Sequence, residues 1–231
     1  MKLLAFETAT EACSVALWID GELRERHEVA PRRHAELALP WADALLAEAG
    51  IARASLDAIA VGRGPGAFTG VRLAIAIAQG VALGLDVPLV PVSTLAALAR
   101  PAAAAHPGHP VLAAIDARMG ELYVGRFRLA GDVLEPLAPE ALLTAEAVDV
   151  DAGWHGVGTG FAARDGVLVA RLGDALATVA PDALPHAADV ARLAAAAHAQ
   201  GAAIAPELVE PAYLRNHVAL TLQEQQARRG R

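Results

Sequence analysis

The chain opens with a pattern of hydrophobic and polar residues that is typical of consecutive β-strands. Leu3–Glu7 is a short apolar run, and the residues of Cys13–Ile19 alternate between two faces with the period of a strand. Asp20-Gly21 has the composition of a tight hairpin turn, because both residues tolerate a left-handed backbone. Glu22–Val29 is more polar. The pattern predicts an antiparallel meander whose third strand lies at a sheet edge.

Helical periodicity follows this meander. Ala35–Ala49 predicts a helix that ends at Gly50. Its apolar side chains fall in two rows, one of which contains Leu39 and Leu46. Ala58–Gly62 is short and wholly apolar, and a glycine-rich turn follows it. This combination predicts a buried parallel strand.

The segment Phe68–Leu85 predicts a helix that is apolar on nearly every side, since only Arg72 and Gln79 are polar past its first turn. A helix of this kind is either buried on all sides or faces a partner. Small residues recur at every fourth position along one face, which would let another helix approach closely. These residues are Gly70, Ala74, Ala78 and Ala82.

The opening pattern returns in weaker form in the second half of the chain. A strand at Leu89–Val92 and a helix from Thr94 lead to Pro101–Pro110, whose composition predicts a linker. Val111–Asp116 then ends in a carboxylate before a turn and another strand, as Leu3–Glu7 does. The recurrence predicts a duplicated fold.

This order of elements predicts an α/β fold in which mixed sheets are flanked by helices. The predicted division places an N-terminal lobe at residues 1–105. A smaller C-terminal lobe follows at residues 106–231. We expect the helix near 188–200 to pack back against the first lobe.

Composition narrows the class of protein. The 231 residues are 55% hydrophobic and 19% charged, which excludes intrinsic disorder. The longest apolar runs are shorter than the roughly 18–20 residues of a membrane-spanning helix, and the first residues lack an apolar signal region. Because Cys13 is the only cysteine, a disulfide framework is excluded. We expect a cytoplasmic protein that does not contact a membrane.

The balance of charges limits the partners of the chain. A net charge of −7 argues against a protein that binds phosphate backbones unaided, because such binding needs clustered positive charge. Lys2 is the only lysine, which excludes mechanisms that need a lysine in the body of the chain. The one basic cluster, Arg228, Arg229 and Arg231, is expected to be a solvated tail.

Gly62–Arg72 is the strongest local signal, and it has two interpretations. Glycines such as Gly64 and Gly66, between a buried strand and a helix, let backbone amides converge on an anion. The spacing matches no nucleotide-binding motif, however. The alternative is a tight connection between strand and helix that makes room for close packing.

Two further turns are candidates for phosphate binding. Glu7, Thr8 and Thr10 place a carboxylate and two hydroxyls at the end of a strand. Actin-like ATPases and sugar kinases hold magnesium and phosphate with such a turn, although an ordinary turn has the same composition. Gly158 and Gly160 belong to a second glycine-rich turn, for which a plain connection between strands is the alternative.

Searches for a metal site or a nucleophile give a negative prediction. No two histidines are spaced as metal ligands on one helix turn, and no serine lies in a nucleophile elbow. Cys13 lies in a predicted strand, where an inert buried thiol is expected. Asp116 and Arg118 favour a structural salt bridge. The residues therefore predict neither a catalytic site nor a metal site.

Over nearly its whole length the chain resembles the TsaB (YeaZ) family, bacterial partners in the synthesis of threonylcarbamoyladenosine in tRNA. The glycine-rich block and the Asp-Ala-Arg-Met-Gly-Glu block are specific together. The matching segments are 7–17 (ETATEACSVAL), 62–72 (GRGPGAFTGVR), 115–121 (IDARMGE), 158–160 (GTG) and 211–216 (PAYLRN).

The resemblance implies the two-lobed actin-like/sugar-kinase/Hsp70 (ribonuclease H-like) fold and kinship with TsaD, the subunit that transfers the threonylcarbamoyl group. TsaD holds a metal with paired histidines. At the positions that match one pair, this chain has Thr94 and Leu98, and His34 represents at best half of the other pair. Glu7 replaces an aspartate that is frequent in relatives, which weakens a magnesium role. The resemblance therefore implies a subunit with no chemistry or cofactor of its own, whose partners use ATP and a metal.

The resemblance further implies a scaffold or activator for a tRNA modification next to the anticodon. The implied partners are a TsaD-type transferase and a TsaE-type ATPase, with tRNA reached through the complex and a homodimer formed when the chain is alone. The implied partner interface lies on the first two helices, at Leu39, Leu46, Gly70, Ala74, Ala78 and Ala82. The alternatives are a glycoprotease-type metallopeptidase and a small-molecule kinase of the same fold.

Overall fold

The computed structural model describes residues 1–215. Asn216 and the basic cluster Arg228, Arg229 and Arg231 therefore lie outside the described residues, as does the end of the predicted C-terminal lobe. Within residues 1–215 the chain forms two five-stranded mixed sheets flanked by helices, which confirms the predicted α/β fold class.

The two sheets have the same topology. In each sheet the first three strands form an antiparallel meander, and two parallel strands follow beside the first. The strands of the first sheet are β1 (Lys2–Glu7), β2 (Ala12–Ile19), β3 (Glu22–Val29), β4 (Ala58–Gly62) and β5 (Leu89–Val92). Those of the second are β6 (Pro110–Asp116), β7 (Glu121–Ala130), β8 (Val133–Thr144), β9 (Trp154–Val157) and β10 (Leu176–Ala180). The order is β3-β2-β1-β4-β5 in the first sheet and β8-β7-β6-β9-β10 in the second. The duplication expected from the recurring pattern is therefore confirmed.

The predicted meander is confirmed in detail. Asp20 and Gly21 both have positive φ, 49° and 104°, so the hairpin turn matches the twist of the strands that it joins. The polar strand β3 lies at the edge of the first sheet. Along β2 the two sets of alternating residues enter different hydrophobic clusters, because helices cover both faces of this sheet.

Helices and sheets alternate in layers. The helices are α1 (His34–Ala49), α2 (Phe68–Leu85), α3 (Thr94–Ala105), α4 (Ala163–Leu172) and α5 (Ala187–Ala199). Helices α1 and α2 pack on one face of the first sheet, and α5 packs on its other face against β1, β2, β4 and β5. Helix α3 contacts α5 and packs on the second sheet against β6 and β7, while α4 covers the far side of that sheet. Thus α3, which follows the last strand of the first sheet, packs on the second sheet, and α5, which follows the last strand of the second sheet, packs on the first.

The prediction of a linker at Pro101–Pro110 is wrong for its first half. Helix α3 continues through Pro101 to Ala105. A proline inside a helix costs about 3 kcal/mol, but Pro101 lies on the exposed side and alanines follow it. Alanine is the strongest helix former, and Ala103 is fully buried in the core of the second sheet. Burial of this last turn offsets the cost of the proline.

Helix α2 is the one helix among residues 1–215 that is long and apolar enough to cross a membrane, with 18 residues and a mean hydropathy of 1.6. In the fold its apolar character serves packing on the first sheet. Ala74, Ala78 and Ala82 are fully buried in the cluster formed with α1 and the sheet.

Candidate functional site

A cleft of about 1030 Å³ lies between the turns at the ends of the two sheets. The β1–β2 turn, the β3–α1 loop and the start of α2 line it from the first sheet. The β6–β7 turn and the start of α4 line it from the second, and the segment Pro211–Arg215 completes the wall. Because equivalent turns of a duplicated fold meet here, this is the place where both halves present polar groups to a common space.

An arginine held between two aromatic rings forms part of the cleft wall. The Arg72 guanidinium carbon lies 3.3 Å from the ring centroid of Phe68 and 5.1 Å from that of Tyr213. Its Nη2 donates a hydrogen bond to the Tyr213 hydroxyl, and its Nη1 donates to the carbonyl oxygen of Phe68. Phe68 and Tyr213 are nevertheless 69% and 56% exposed. Ordered aromatic faces are therefore presented to solvent at the edge of the cleft.

The turn between β6 and β7 contributes charge to the opposite side. Asp116 accepts a hydrogen bond from the backbone N–H of Arg118 at 2.8 Å and another from its Nη1 at 2.9 Å. The second contact confirms the predicted salt bridge. Arg118 and Met119 both have positive φ, so this turn stores backbone strain. Arg215 braces it by donating to the Ala117 carbonyl oxygen.

The carboxylate at the end of β1 is enclosed instead of facing the cleft. One oxygen of Glu7 accepts the backbone N–H of Ala9 at 2.7 Å, and the other accepts the Thr94 hydroxyl at 2.9 Å. A Cβ on Gly62 would come within 1.9 Å of this carboxylate, so glycine is required there. Burial raises the pKa of Glu7 to about 7, although these hydrogen bonds oppose the shift.

The glycines of the strongest sequence block make room for this turn. A Cβ on Gly66 would lie 2.3 Å from the carbonyl oxygen of Ala9, and one on Gly70 would lie 2.1 Å from that of Thr8. The Thr8 hydroxyl donates to the Gly70 carbonyl oxygen at 2.8 Å. These contacts favour the second interpretation of the block, a connection built for close packing.

The residues of the predicted phosphate turns are divided between the cleft and the core. Thr10 and Gly66 line the cleft. The lining does not include Glu7, Thr8 or Gly64. It also omits Gly158 and Gly160, against which Ala114 packs. A phosphate site at these turns stays a prediction, and no group of three or more potential metal ligands occurs within residues 1–215.

The predicted partner residues on the first two helices need correction. Gly70, Ala74, Ala78 and Ala82 are buried in the first sheet's own core, as is Leu46, and only Leu39 of the six is exposed, at 46%. Helical periodicity correctly grouped the small residues on one face. However, that face lets the helix approach its own sheet closely, so a partner cannot contact it in the folded chain.

The opposite side of α2 is the apolar surface that remains open. Leu83 is 60% exposed, and Ala76 and Gly80 are exposed beside it. Leu73 and Ile77 are half-buried on the same side. Together with Leu39 of α1, which lies on the same side of the first sheet, these residues form what we call the open helix face.

Sequence reasoning missed two clusters of histidines. His27 stacks on His186 with ring centroids 4.0 Å apart, and His186 Nδ1 lies 3.0 Å from Glu25. His106 stacks on His155 at 3.7 Å near the start of the second sheet. The residues of each cluster are far apart in the sequence, and periodicity carries no signal for such contacts. The same holds for Arg72 and Tyr213, which are 141 positions apart.

Comparison with known proteins supplies the family. The sequence model of TsaD, tRNA N6-adenosine threonylcarbamoyltransferase, matches residues 27–221. The chain is 42% identical over 230 residues to the tRNA threonylcarbamoyladenosine biosynthesis protein TsaB of Escherichia coli K12, with 95% of this chain and 96% of that protein covered. It is 39% identical to the TsaB of Haemophilus influenzae, with 94% and 95% covered.

Structural similarity agrees with these matches. A solved structure of YeaZ from Pseudomonas aeruginosa has a TM-score of 0.86 and 44% identity, covering 92% of this chain and 99% of the other. By contrast, a tRNA N6-adenosine threonylcarbamoyltransferase from Nitratidesulfovibrio vulgaris is 38% identical over only 41% of this chain and 31% of its own length. The transferase matches only part of this chain, whereas these two TsaB proteins match nearly all of it. The chain therefore belongs to the TsaB (YeaZ) family.

Proposed function

We propose that this chain is the non-catalytic subunit of a tRNA modification complex and binds a TsaD-type transferase through the open helix face. Its role in the biosynthesis of threonylcarbamoyladenosine in tRNA follows from its family, because its relatives over nearly their full length carry that name. The use of the open helix face and the lack of catalysis are the proposed parts.

The observation that carries the proposal is the exposure of apolar side chains on α2. Contiguous exposed apolar surface on a folded chain marks an interaction site more often than chance. Leu83, Ala76 and Gly80 follow one another along one side of a regular helix, and the opposite side is fully packed. Small residues at the centre of such a face let a partner's helix approach closely.

The positions that match the metal-binding histidines of TsaD support a non-catalytic role. Thr94 is fully buried, and its hydroxyl binds Glu7. Leu98 is buried in the core of the second sheet. Neither side chain ligates a metal as imidazole does, and the packing around both gives them structural roles. We accordingly assign the metal and ATP of the reaction to partner subunits.

The remaining parts of the proposal concern the assembly. A TsaE-type ATPase would join the pair, and tRNA would be modified on the transferase. In the absence of its partner the chain would cover the open helix face by forming a homodimer, because the same apolar side chains need burial. A tRNA-modifying complex of this kind would act in the cytoplasm.

Reconstitution of tRNA modification tests the proposal. Purified transferase and ATPase, supplied with unmodified tRNA, ATP and an activated threonylcarbamoyl donor, are expected to form little threonylcarbamoyladenosine until this chain is added at an equal concentration. The chain alone, supplied with the same tRNA, ATP and donor and with zinc, iron or magnesium, is expected to form none. Product formed by the chain alone would contradict the non-catalytic role, and full activity without it would contradict the activator role.

A further inference from the structure

The edge of the cleft combines exposed aromatic rings and a guanidinium group on one side with a further guanidinium group on the other. We call Phe68, Arg72, Tyr213 and Arg118 the cleft rim; all four line the cleft. Arg72 fixes both rings by stacking and by its hydrogen bond to the Tyr213 hydroxyl. The rings are thus held in place and still largely exposed, so little conformational entropy would be lost when a planar group stacks on them.

The charge of the rim is positive although the whole chain is acidic. Among the residues that the structure describes, Arg72 forms no salt bridge, and nor does Arg32 on the neighbouring loop. Arg118 pairs with Asp116, but its side chain is 86% exposed and keeps donors free. Besides Asp116, the only carboxylate among the residues that line the cleft is that of Glu11, so arginines outnumber carboxylates there. An anionic ligand is therefore favoured at the rim.

We infer that the cleft rim binds single-stranded RNA of the tRNA substrate, with bases stacked on Phe68 and Tyr213 and phosphates on the arginines. Unpaired nucleotides supply both groups that the rim accommodates, a π-face and a negative charge. An acidic peptide would pair with the guanidinium groups but would leave the aromatic faces uncovered. The inference rests on the proposed function, since it adds an RNA contact to the same complex.

The backbone at the rim is consistent with a binding role. Arg118 and Met119 adopt consecutive left-handed conformations, which non-glycine residues rarely do, and Arg215 and Asp116 hold this turn in place. Strain of this kind persists at sites where the position of a side chain matters. Here it directs Arg118 to the solvent at the mouth of the cleft.

The test measures the affinity of an unmodified tRNA transcript for the one-to-one assembly of this chain with its transferase. The double variant Phe68→Ala/Tyr213→Ala is expected to weaken binding about tenfold or more, because each stacked base contributes strongly. Arg118→Gln is expected to lower the slope of log affinity against log salt by about one.

The controls are Leu137→Ala, which removes an exposed apolar side chain on β8, and Arg128→Gln, which removes an arginine that pairs with Glu135 as Arg118 pairs with Asp116. Both should bind tRNA as the wild type does.

The possible outcomes separate the two proposals. If the wild-type assembly does not form, the proposed function fails, and crosslinking of the chain alone to tRNA must still map to the rim for the RNA inference to survive. If the assembly forms and both rim variants bind tRNA with wild-type affinity and salt dependence, the inference is overturned. Rim variants that keep tRNA affinity but lose the ATPase would show that the rim binds protein, which also overturns it.

Discussion

The two halves of the chain have the same strand order but differ in what surrounds it. In the first half, the 16-residue α1 and the 18-residue α2 follow the meander and β4. In the second half, the β8–β9 connection holds the short 3-10 turn Ala145–Ala147, and the β9–β10 connection holds the 10-residue α4 between two further 3-10 turns. The carboxylates that end the first strands differ too: Glu7 is enclosed, whereas Asp116 is 27% exposed in the cleft.

This comparison shows how a duplicated fold divides its roles. The strand topology is common to both halves, so it does not decide which half binds a partner. The proposed partner site lies on the long helices of the first half because, among residues 1–215, this half alone presents an apolar helix face of several turns. The exposed strand-end turn of the second half instead contributes charge to the cleft.

The largest loss of stability is expected from a methyl group placed on α2 at the point where this helix packs against the β1–β2 turn. Gly70→Ala would put Cβ 2.1 Å from the backbone carbonyl oxygen of Thr8, so the helix or the turn must move. We expect a loss of at least about 3 kcal/mol in the free energy of unfolding, measured by urea denaturation.

Gly80→Ala is the matched control, because it lies on the same helix and nothing would lie within 4 Å of its Cβ. It should stabilise the chain by about 1 kcal/mol, the usual difference in helix propensity. Equal effects of the two substitutions would show that the turn is not packed as described.

The next largest effect is a pH dependence of stability that comes from the carboxyl group of Glu7 at the end of β1 and has no counterpart of similar size at Asp116, at the end of β6. The pKa of Glu7 is raised to about 7 in the folded chain, above its ordinary value of 4.5. Its contribution to stability is therefore complete below pH 4.5 and is lost as the pH rises through 7. This loss amounts to about 3 kcal/mol, and Glu7→Gln should abolish it in denaturation curves recorded from pH 4 to pH 8.

The corresponding change in the second half, Asp116→Asn, should cost less than about 1 kcal/mol, because Asp116 forms an exposed ion pair. If Glu7→Gln leaves the pH dependence unchanged, the carboxyl of Glu7 is not enclosed in solution.

Much of each half could be predicted from the sequence because its signals are local. The Asp20-Gly21 hairpin and the strand–glycine–helix unit at Gly62 follow from neighbouring residues. Periodicity grouped Ala74 with Ala78, but it does not show whether a sheet or a partner covers that face. The packing of α3 on the second sheet and the contact of Tyr213 with Arg72 join distant parts of the chain, and local patterns carry no information on them.

The smallest effects on stability are expected at His186, which precedes α5 beside the first sheet, and at His155 in β9, and they should have opposite pH dependence. The hydrogen bond with Glu25 raises the pKa of His186, whereas burial lowers the pKa of His155. The stability from His186 is thus lost as the pH rises through its folded pKa, and that from His155 is lost as the pH falls below the ordinary value of 6.5.

His186→Gln should therefore cost about 0.5–1 kcal/mol at pH 5.5 and less at pH 8, since the pair with Glu25 is partly exposed. His155→Gln should show its larger cost at pH 8. Parallel pH profiles for the two variants in thermal or urea denaturation would contradict these assignments.

Light scattering coupled to size-exclusion chromatography shows whether the first half binds the transferase through the open helix face. Leu83→Glu places a charge on α2, and Val169→Glu places one at a partly exposed apolar position of α4 in the second half. Wild type and Val169→Glu should each form a one-to-one complex with the TsaD-type transferase. Leu83→Glu should remain folded, with an unchanged urea midpoint, and elute separately from it. A complex formed by Leu83→Glu as readily as by wild type, or lost only in Val169→Glu, would contradict the account.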